Sequence, residues 1–294
     1  MAHPFEQIDF FQGYWRTESW GMDAQALLAF TKQHMELGIY AVDHAWIYGA
    51  RDSSCEALFG DAMALDPSIR QQLHIVSKCG IVPPSGNCDI AYYDSSREEI
   101  LRSVEESLTR LKTDYIDTLL LHRPDLLLNP AEVAEVFEQL HAQGKVRYFG
   151  VSNYAPHEFD LLQQYVDQPL ITNQVEINLG NMYALEDGTL AQAQTLQRRP
   201  MAWSCLMGGR LFNPESEQDH RIVAALHQVK EEVGANNIEQ VAMSWVQAHP
   251  ARPIPIIGSG KIERVRDAVE SKNIKLSREQ WYRLWGASKG HGVA

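Results

Sequence analysis

Apolar, β-branched runs of four to eight residues recur down this chain, separated by longer stretches whose apolar positions return every three or four residues. The short runs predict strands at Ile39–Asp43, His74–Lys78, Tyr115–His122, Val146–Ser152, Leu170–Glu176, Met201–Leu206, Pro253–Ile257 and, less regularly, Asn273–Leu276. The stretches between them carry helix signals. Ala26–Leu37 stops at Gly38, and Ser96 with Glu99 reads as a capping box opening a helix to Lys112. Asn129-Pro130 reads as N-cap and N1 of a helix that Gly144 closes. Ile222–Val233 stops at Gly234 and Ile238–Ala248 follows, so two helices precede the seventh run. This alternation, with no Pro/Ser/Gly-rich linker, predicts one (β/α)8 TIM-type barrel domain over residues 1–294. A doubly wound open sheet would want G-x-G-x-x-G after its first strand, and Gly208-Gly209 and Gly258/Gly260 come too late for that. The segment GYWRTES is expected to form an N-terminal β-hairpin plugging the bottom of the barrel.

Three of these runs end on ionisable residues: Asp43, Lys78 and His122. A parallel strand buried on both faces has no packing reason to end so, whereas the C-terminal rim of a barrel is where ligands are bound. Each residue alone has a plainer reading: Asp43 as a turn residue, Lys78 as a solvated lysine, His122 as a satisfied core histidine and Tyr48 as packing. The set carries the inference, since a barrel would bring all four to one mouth.

Composition narrows the function. Net charge is −12, from 26 basic and 38 acidic residues, which disfavours nucleic acid and anionic lipid as partners. No run approaches the roughly 18 apolar residues of a membrane helix. The N-terminus lacks the apolar core of a signal peptide, and the four cysteines form no C-x-x-C pair, so a reduced cytoplasmic setting is expected. The histidines show no metal-ligand spacing and no metal is expected. Ser204 lacks a G-x-S-x-G elbow, which leaves acyl transfer without support.

A phenol is a poor acid near neutrality; beside an ammonium ion its pKa is expected to fall, and an aspartate keeps that ammonium charged. Tyr48, Lys78 and Asp43 could therefore supply a tuned proton donor, with His122 orienting the same substrate oxygen. Such general acid catalysis contributes about 10²–10⁴ in rate. A single proton relay without thiol, serine nucleophile or metal suits carbonyl reduction by a bound hydride donor. Later strands offer matching parts in Gly150–Asn153, Thr172–Asn178, Ala202–Phe212 and Pro255–Val265: amides, an aromatic face, glycine-rich backbone and a Lys/Arg pair at a helix start.

With Asp43, Tyr48, Lys78 and His122 in this order, and with G-V-S-N at Gly150–Asn153 and N-Q at Asn173-Gln174, nearly the whole chain resembles the aldo-keto reductase family. The resemblance implies NADPH/NADP+ as cofactor and a small-molecule carbonyl substrate. It implies that Ser152, Asn153 and Gln174 hold the nicotinamide carboxamide and that Trp203 stacks on its ring, in place of a frequent Tyr. It further implies that Ser204, Leu206, Gly208 and Arg210 line the pyrophosphate. Gly258, Ser259, Lys261 and Arg264 are then expected at the 2′-phosphate. The family's adenine-side Asn is here Ala268, next to Asp267, and the chain stops soon after Arg278–Ala287, where many relatives carry a long pocket-closing loop. Specificity is then expected from Trp20, Tyr92, Tyr93 and the segment 180–188. A monomer or weak homo-oligomer is expected. Two alternatives stand beside the reductase: a nicotinamide-binding regulatory subunit with little turnover, and a Schiff-base lyase using Lys78.

Overall fold

Parallel strands close into an eight-membered barrel in the computed structural model, which describes residues 4–50, 53–86 and 88–294. The strands are β1 (Phe11–Gly13), β2 (Ala41–Asp43), β3 (His74–Cys79), β4 (Ile116–Leu121), β5 (Val146–Ser152), β6 (Leu170–Glu176), β7 (Met201–Trp203) and β8 (Ile254–Ile257). Their order around the barrel is their order along the chain, and β1 pairs with both β2 and β8 to close it.

The expected fold class is therefore observed, with two changes of detail. The N-terminal hairpin is absent: Phe11–Gly13 is itself a barrel strand, and Thr17–Trp20 forms a 3-10 turn. The expected strand at Asn273–Leu276 is also absent, because Ser271–Asn273 is a 3-10 turn and β1 already fills the place beside β8. The bottom is plugged instead by the 3-10 turn Pro4–Gln7, whose Phe5 ring enters the barrel 5.2 Å from that of Phe11. Burying one phenylalanine this fully contributes roughly 1.5–3 kcal/mol. Arg199 holds the plug by donating to the carbonyls of Phe5 (2.8 Å) and Ile8 (2.7 Å).

Phe5 packs inside the barrel against Phe11, Ala41, Val76, Leu120, Ile171, Met201 and Ile254. Side chains two residues apart on a strand share a face. Ala41, Val76, Leu120 and Met201 therefore place Asp43, Lys78, His122 and Trp203 one step higher, at the C-terminal mouth. The apolar layer is the floor of the site.

Local signals account for the surrounding helices. Helix α1 (Ala24–Glu36) starts where the Asp23 carboxylate accepts from the Ala26 amide at 2.8 Å. Against it pack α2 (Cys55–Leu65) and then α3 (Arg97–Leu111), which begins at Ser96 and ends in left-handed Lys112. Only half of the expected capping box forms there, since Glu99 turns to Arg102 and Ser103. A Cβ on Gly60 would sit 2.0 Å from the Arg110 carbonyl, so α2 and α3 approach too closely for any side chain at that position. Helix α4 (Pro130–Ala142) starts at Asn129-Pro130 as expected.

Candidate active site

Lys78 enters the mouth from β3 and is buried. Its ammonium has three protons, and each has an acceptor: Asp43 Oδ2 at 2.8 Å, the His44 carbonyl at 2.7 Å and the Tyr48 hydroxyl oxygen at 3.0 Å. Burial alone would depress the lysine pKa, but Asp43 and Tyr48 more than offset it and hold Lys78 above the ordinary lysine value. A fully engaged, protonated amine has no lone pair to offer a carbonyl carbon, so the geometry opposes Schiff-base chemistry at Lys78.

The other Asp43 oxygen accepts from Gln174 Nε2 at 2.7 Å. Gln174 thus braces the carboxylate from across the barrel. On the outer face of β3, Ser77 donates to the buried Glu56 carboxylate at 2.6 Å, and Ser107 of α3 donates to its other oxygen at 3.0 Å. The strand bearing Lys78 is therefore held from both sides.

Tyr48 lies in the loop after β2, just ahead of a short antiparallel pairing of Gly49–Ala50 with Ser53–Ser54. Its ring is partly exposed to the mouth and meets His122 edge-on at 5.7 Å. The expected fall in its pKa is not observed. Burial raises it, Lys78 opposes, and the net direction is upward, so desolvation of the phenolate outweighs the adjacent ammonium. Tyr48 is held as a neutral phenol. Because Lys78 donates to the phenol oxygen, the phenol's own proton must point to another acceptor.

His122 is neutral as well: burial, Lys78 and Arg123 all push its pKa well below the usual histidine value. Its Nδ1 is buried and has no partner among the described residues. A buried lone pair without a partner is tolerated better than a buried N–H without one, which puts the ring proton on Nε2. Neutral His122 is then a hydrogen-bond donor beside Tyr48.

The opposite wall is a hydrogen-bonded chain. Ser152 Oγ donates to the Gln174 carbonyl (3.0 Å), Asn153 Nδ2 donates to Ser152 Oγ (2.8 Å), and Trp203 Nε1 donates to Asn153 Oδ1 (3.0 Å). Asn153 adopts a left-handed backbone (φ 60°), as do Ser204 (φ 58°) and Met207 (φ 56°). Such conformations are costly outside glycine and cluster at functional sites. Ser204 and Leu206 start a tight turn through Gly208 and Gly209. Arg210 follows it, ion-paired with Asp219 at 3.3 Å.

Gly258 and Ser259 follow β8, and the Ser259 hydroxyl accepts from the Lys261 amide at the start of the helix Ile262–Glu270. Lys261 and Arg264 are exposed, and neither forms an ion pair among the described residues. The structure thus assembles Asp43, Tyr48, Lys78 and His122 at one point and sets Ser152, Asn153, Gln174 and Trp203 on the facing wall. The glycine-rich turns lie at the same end of the barrel. Trp20 covers Gly260 in the turn after β8, where a Cβ would come within 2.4 Å of its ring. Ala268 is buried in its helix and faces the core.

The sequence reading passed over Arg123. It follows His122 directly, and its guanidinium carbon lies 5.8 Å from the Trp203 ring centre. The available signal was a cation immediately after a strand that ends on an ionisable residue. Among the described residues no cluster of His, Cys, Asp or Glu could hold a metal ion, and no helix is long and apolar enough to cross a membrane.

The sequence profile of the Aldo/keto reductase family matches residues 11–288. The oxidoreductase YdhF of Escherichia coli is 50% identical over 285 residues, covering 97% of this chain and 94% of its own. A 6-dehydroglucose reductase of Agrobacterium fabrum is 37% identical over 289 residues, covering 96% and 94%. A solved aldo/keto reductase from Klebsiella pneumoniae, in complex with NADP and acetate, superposes with a TM-score of 0.74 at 26% identity, covering 94% of this chain and 89% of that one. With a barrel of this order and a family match over nearly all of its length, the chain belongs to the aldo-keto reductase family of oxidoreductases.

Proposed function

We propose that this protein reduces aldehydes or ketones to alcohols with NADPH, Tyr48 supplying the proton. The observation that carries the reading is the direction of one hydrogen bond. Lys78 donates to the Tyr48 oxygen at 3.0 Å, which leaves the phenol proton free to be donated into the mouth. A carbonyl oxygen seated there would accept from Tyr48 and from His122 Nε2. Two neutral donors aimed at one oxygen favour the alkoxide-like transition state over the ground-state carbonyl. As the phenol gives up its proton, the ammonium beside it stabilises the phenolate, and Asp43 with Gln174 keeps that ammonium in place.

The nicotinamide cofactor, when bound, supplies the hydride. The residues present fit such a group. Trp203 offers a partly exposed indole face beside left-handed Asn153, and glycine-rich backbone follows β7 and β8. Lys261 and Arg264 stand uncompensated at a helix N-terminus, where a phosphate dianion is favoured. That unpaired cationic corner favours NADPH over NADH. The Klebsiella pneumoniae relative in complex with NADP is consistent with this choice.

The test is steady-state oxidation of NADPH and NADH by the purified protein with a panel of short aldehydes and ketones. Turnover with NADPH at least tenfold more efficient than with NADH is expected. Absence of turnover with either nucleotide on every carbonyl sinks the proposal and favours the regulatory-subunit alternative.

A further inference from the structure

Acidic residues outnumber basic ones 38 to 26 in this chain, yet the half-buried cation at its mouth, Arg123, has no ion pair among the described residues. The neighbouring carboxylates are already committed. Asp43 accepts from Lys78 and Gln174. Both Asp125 oxygens accept from backbone amides, of Leu127 at 2.9 Å and of Ser95 at 2.8 Å. Both Glu176 oxygens accept from side-chain amides, of Asn178 at 2.9 Å and of Asn181 at 2.8 Å.

Arg123 is also held in place. The chain bends at Arg123, just past the end of β4, and Pro124 restricts the backbone there. The two Asp125 bonds fix the loop that follows. From there the guanidinium reaches the face of Trp203 on β7, three strands along the wall from β4. Its charge is felt at both proton donors: it opposes the upward push of burial on Tyr48 and adds to the downward push of burial on His122. Lys78 and Asp43 cancel each other and His122 is neutral, so Arg123 is the cation beside the proton donors that has no ion pair among the described residues.

We propose that Arg123 anchors the carboxylate of an anionic carbonyl substrate, an oxo acid, while Tyr48 and His122 hold the carbonyl oxygen of the same molecule. This inference rests on the reductase reading above. A guanidinium presents a planar fork of donors that matches a carboxylate in two parallel bonds, so it fixes orientation as well as affinity. A neutral substrate of equal size leaves the guanidinium desolvated and unpaired, which is the more discriminating half of the effect.

The experiment compares glyoxylate, pyruvate and 4-oxobutanoate with their methyl esters, as kcat/KM with saturating NADPH. For at least one chain length the acid is expected to exceed its ester by about 100-fold, chiefly in KM. In Arg123→Gln that ratio should collapse to about one, and Arg123→Lys should recover part of it. The NADPH dissociation constant should stay within about threefold. Acid and ester turned over equally by the wild type overturns the inference while leaving the reductase reading intact. So does a ratio that survives Arg123→Gln, or a variant that loses only NADPH affinity, which would make Arg123 a support for Trp203. No turnover of either acids or esters removes the reductase reading and this inference with it.

Discussion

The two ends of the barrel treat charge in opposite ways. At the closed end every buried ion is answered. Asp117 accepts from Arg70 (2.9 Å), from Arg147 (3.0 Å) and from the Ile75 amide (3.0 Å), while the two arginines sandwich the Tyr115 ring at 3.7 and 3.8 Å. Arg199 is answered by backbone carbonyls alone. At the mouth, Arg123, Lys261 and Arg264 have no carboxylate partner among the described residues, and His122 Nδ1 has no donor facing it. Left-handed non-glycine residues do not separate the ends: Asn153, Ser204 and Met207 lie at this one, and Lys112, Gln197 and Arg252 at the other. Completed hydrogen-bond networks stabilise; incomplete ones at a barrel's C-terminal face wait for a ligand. The difference predicts which substitutions remove stability and which remove activity.

Lys78→Met crosses that boundary and has the largest expected effect. It leaves the buried Asp43 charge with Gln174 as its remaining partner and takes the stabilising cation from Tyr48. We expect about 3–5 kcal/mol of lost stability in denaturant titration together with kcat lowered by about 10³. A variant as stable as wild type would show that the Lys78–Asp43 pair is far better solvated than its burial implies.

Arg199→Ala tests the closed end alone. It takes the guanidinium donors from the carbonyls of Phe5, Ile8 and Arg252, leaving Phe5 its bond from the Ile8 amide, and should cost about 3 kcal/mol of stability, with kcat/KM at 25 °C within about twofold of wild type. A large loss of activity without loss of stability would break the division.

Two buried histidines sharpen it through pH. His34 is pushed down to about 4 and His44 to about 3, chiefly by burial. Below pH 6.5 the unfolded chain takes up protons that these rings refuse, so stability falls as pH drops from 6.5. The His34 contribution is fully lost near pH 4, a change of roughly 3 kcal/mol. Glu56, whose pKa is raised by burial, works in the opposite sense. His44 stacks on Tyr14 at 4.7 Å with neither ring nitrogen bonded, so His44→Phe should keep stability at pH 7 within about 1 kcal/mol and flatten the acid limb. An unchanged limb would acquit His44.

The smallest effect is expected at the rim. Lys261→Ala should weaken NADPH binding about tenfold and leave NADH binding unaltered, measured by quenching of tryptophan fluorescence. Equal weakening of both nucleotides would place Lys261 away from the 2′-phosphate.

Much of this site was legible in the sequence because buried strands punish ionisable residues. Asp43, Lys78 and His122 stood out against apolar runs, and the two-residue period then put them on one face. What was not legible follows from three-dimensional closure. Phe11–Gly13 is three residues with Gln12 in the middle, too short to show a period, yet it takes the place that Asn273–Leu276 was expected to fill. Gln174 read as a cofactor amide, but its partner Asp43 is 131 residues away in the chain. The Tyr48 pKa ran opposite to expectation because sequence reveals a neighbouring ammonium and hides the depth of burial. Arg123 drew no reading at all, since an unpaired charge is recognised only once every possible partner has been placed.

The most direct test is the rate of NADPH oxidation by Tyr48→Phe at saturating aldehyde, with cofactor binding and thermal stability measured alongside. Removing one hydroxyl should lower kcat by about 10²–10⁴ while the NADPH dissociation constant and melting temperature stay at wild-type values. A kcat within threefold of wild type would mean that the proton reaches the substrate by a route that does not pass through this phenol.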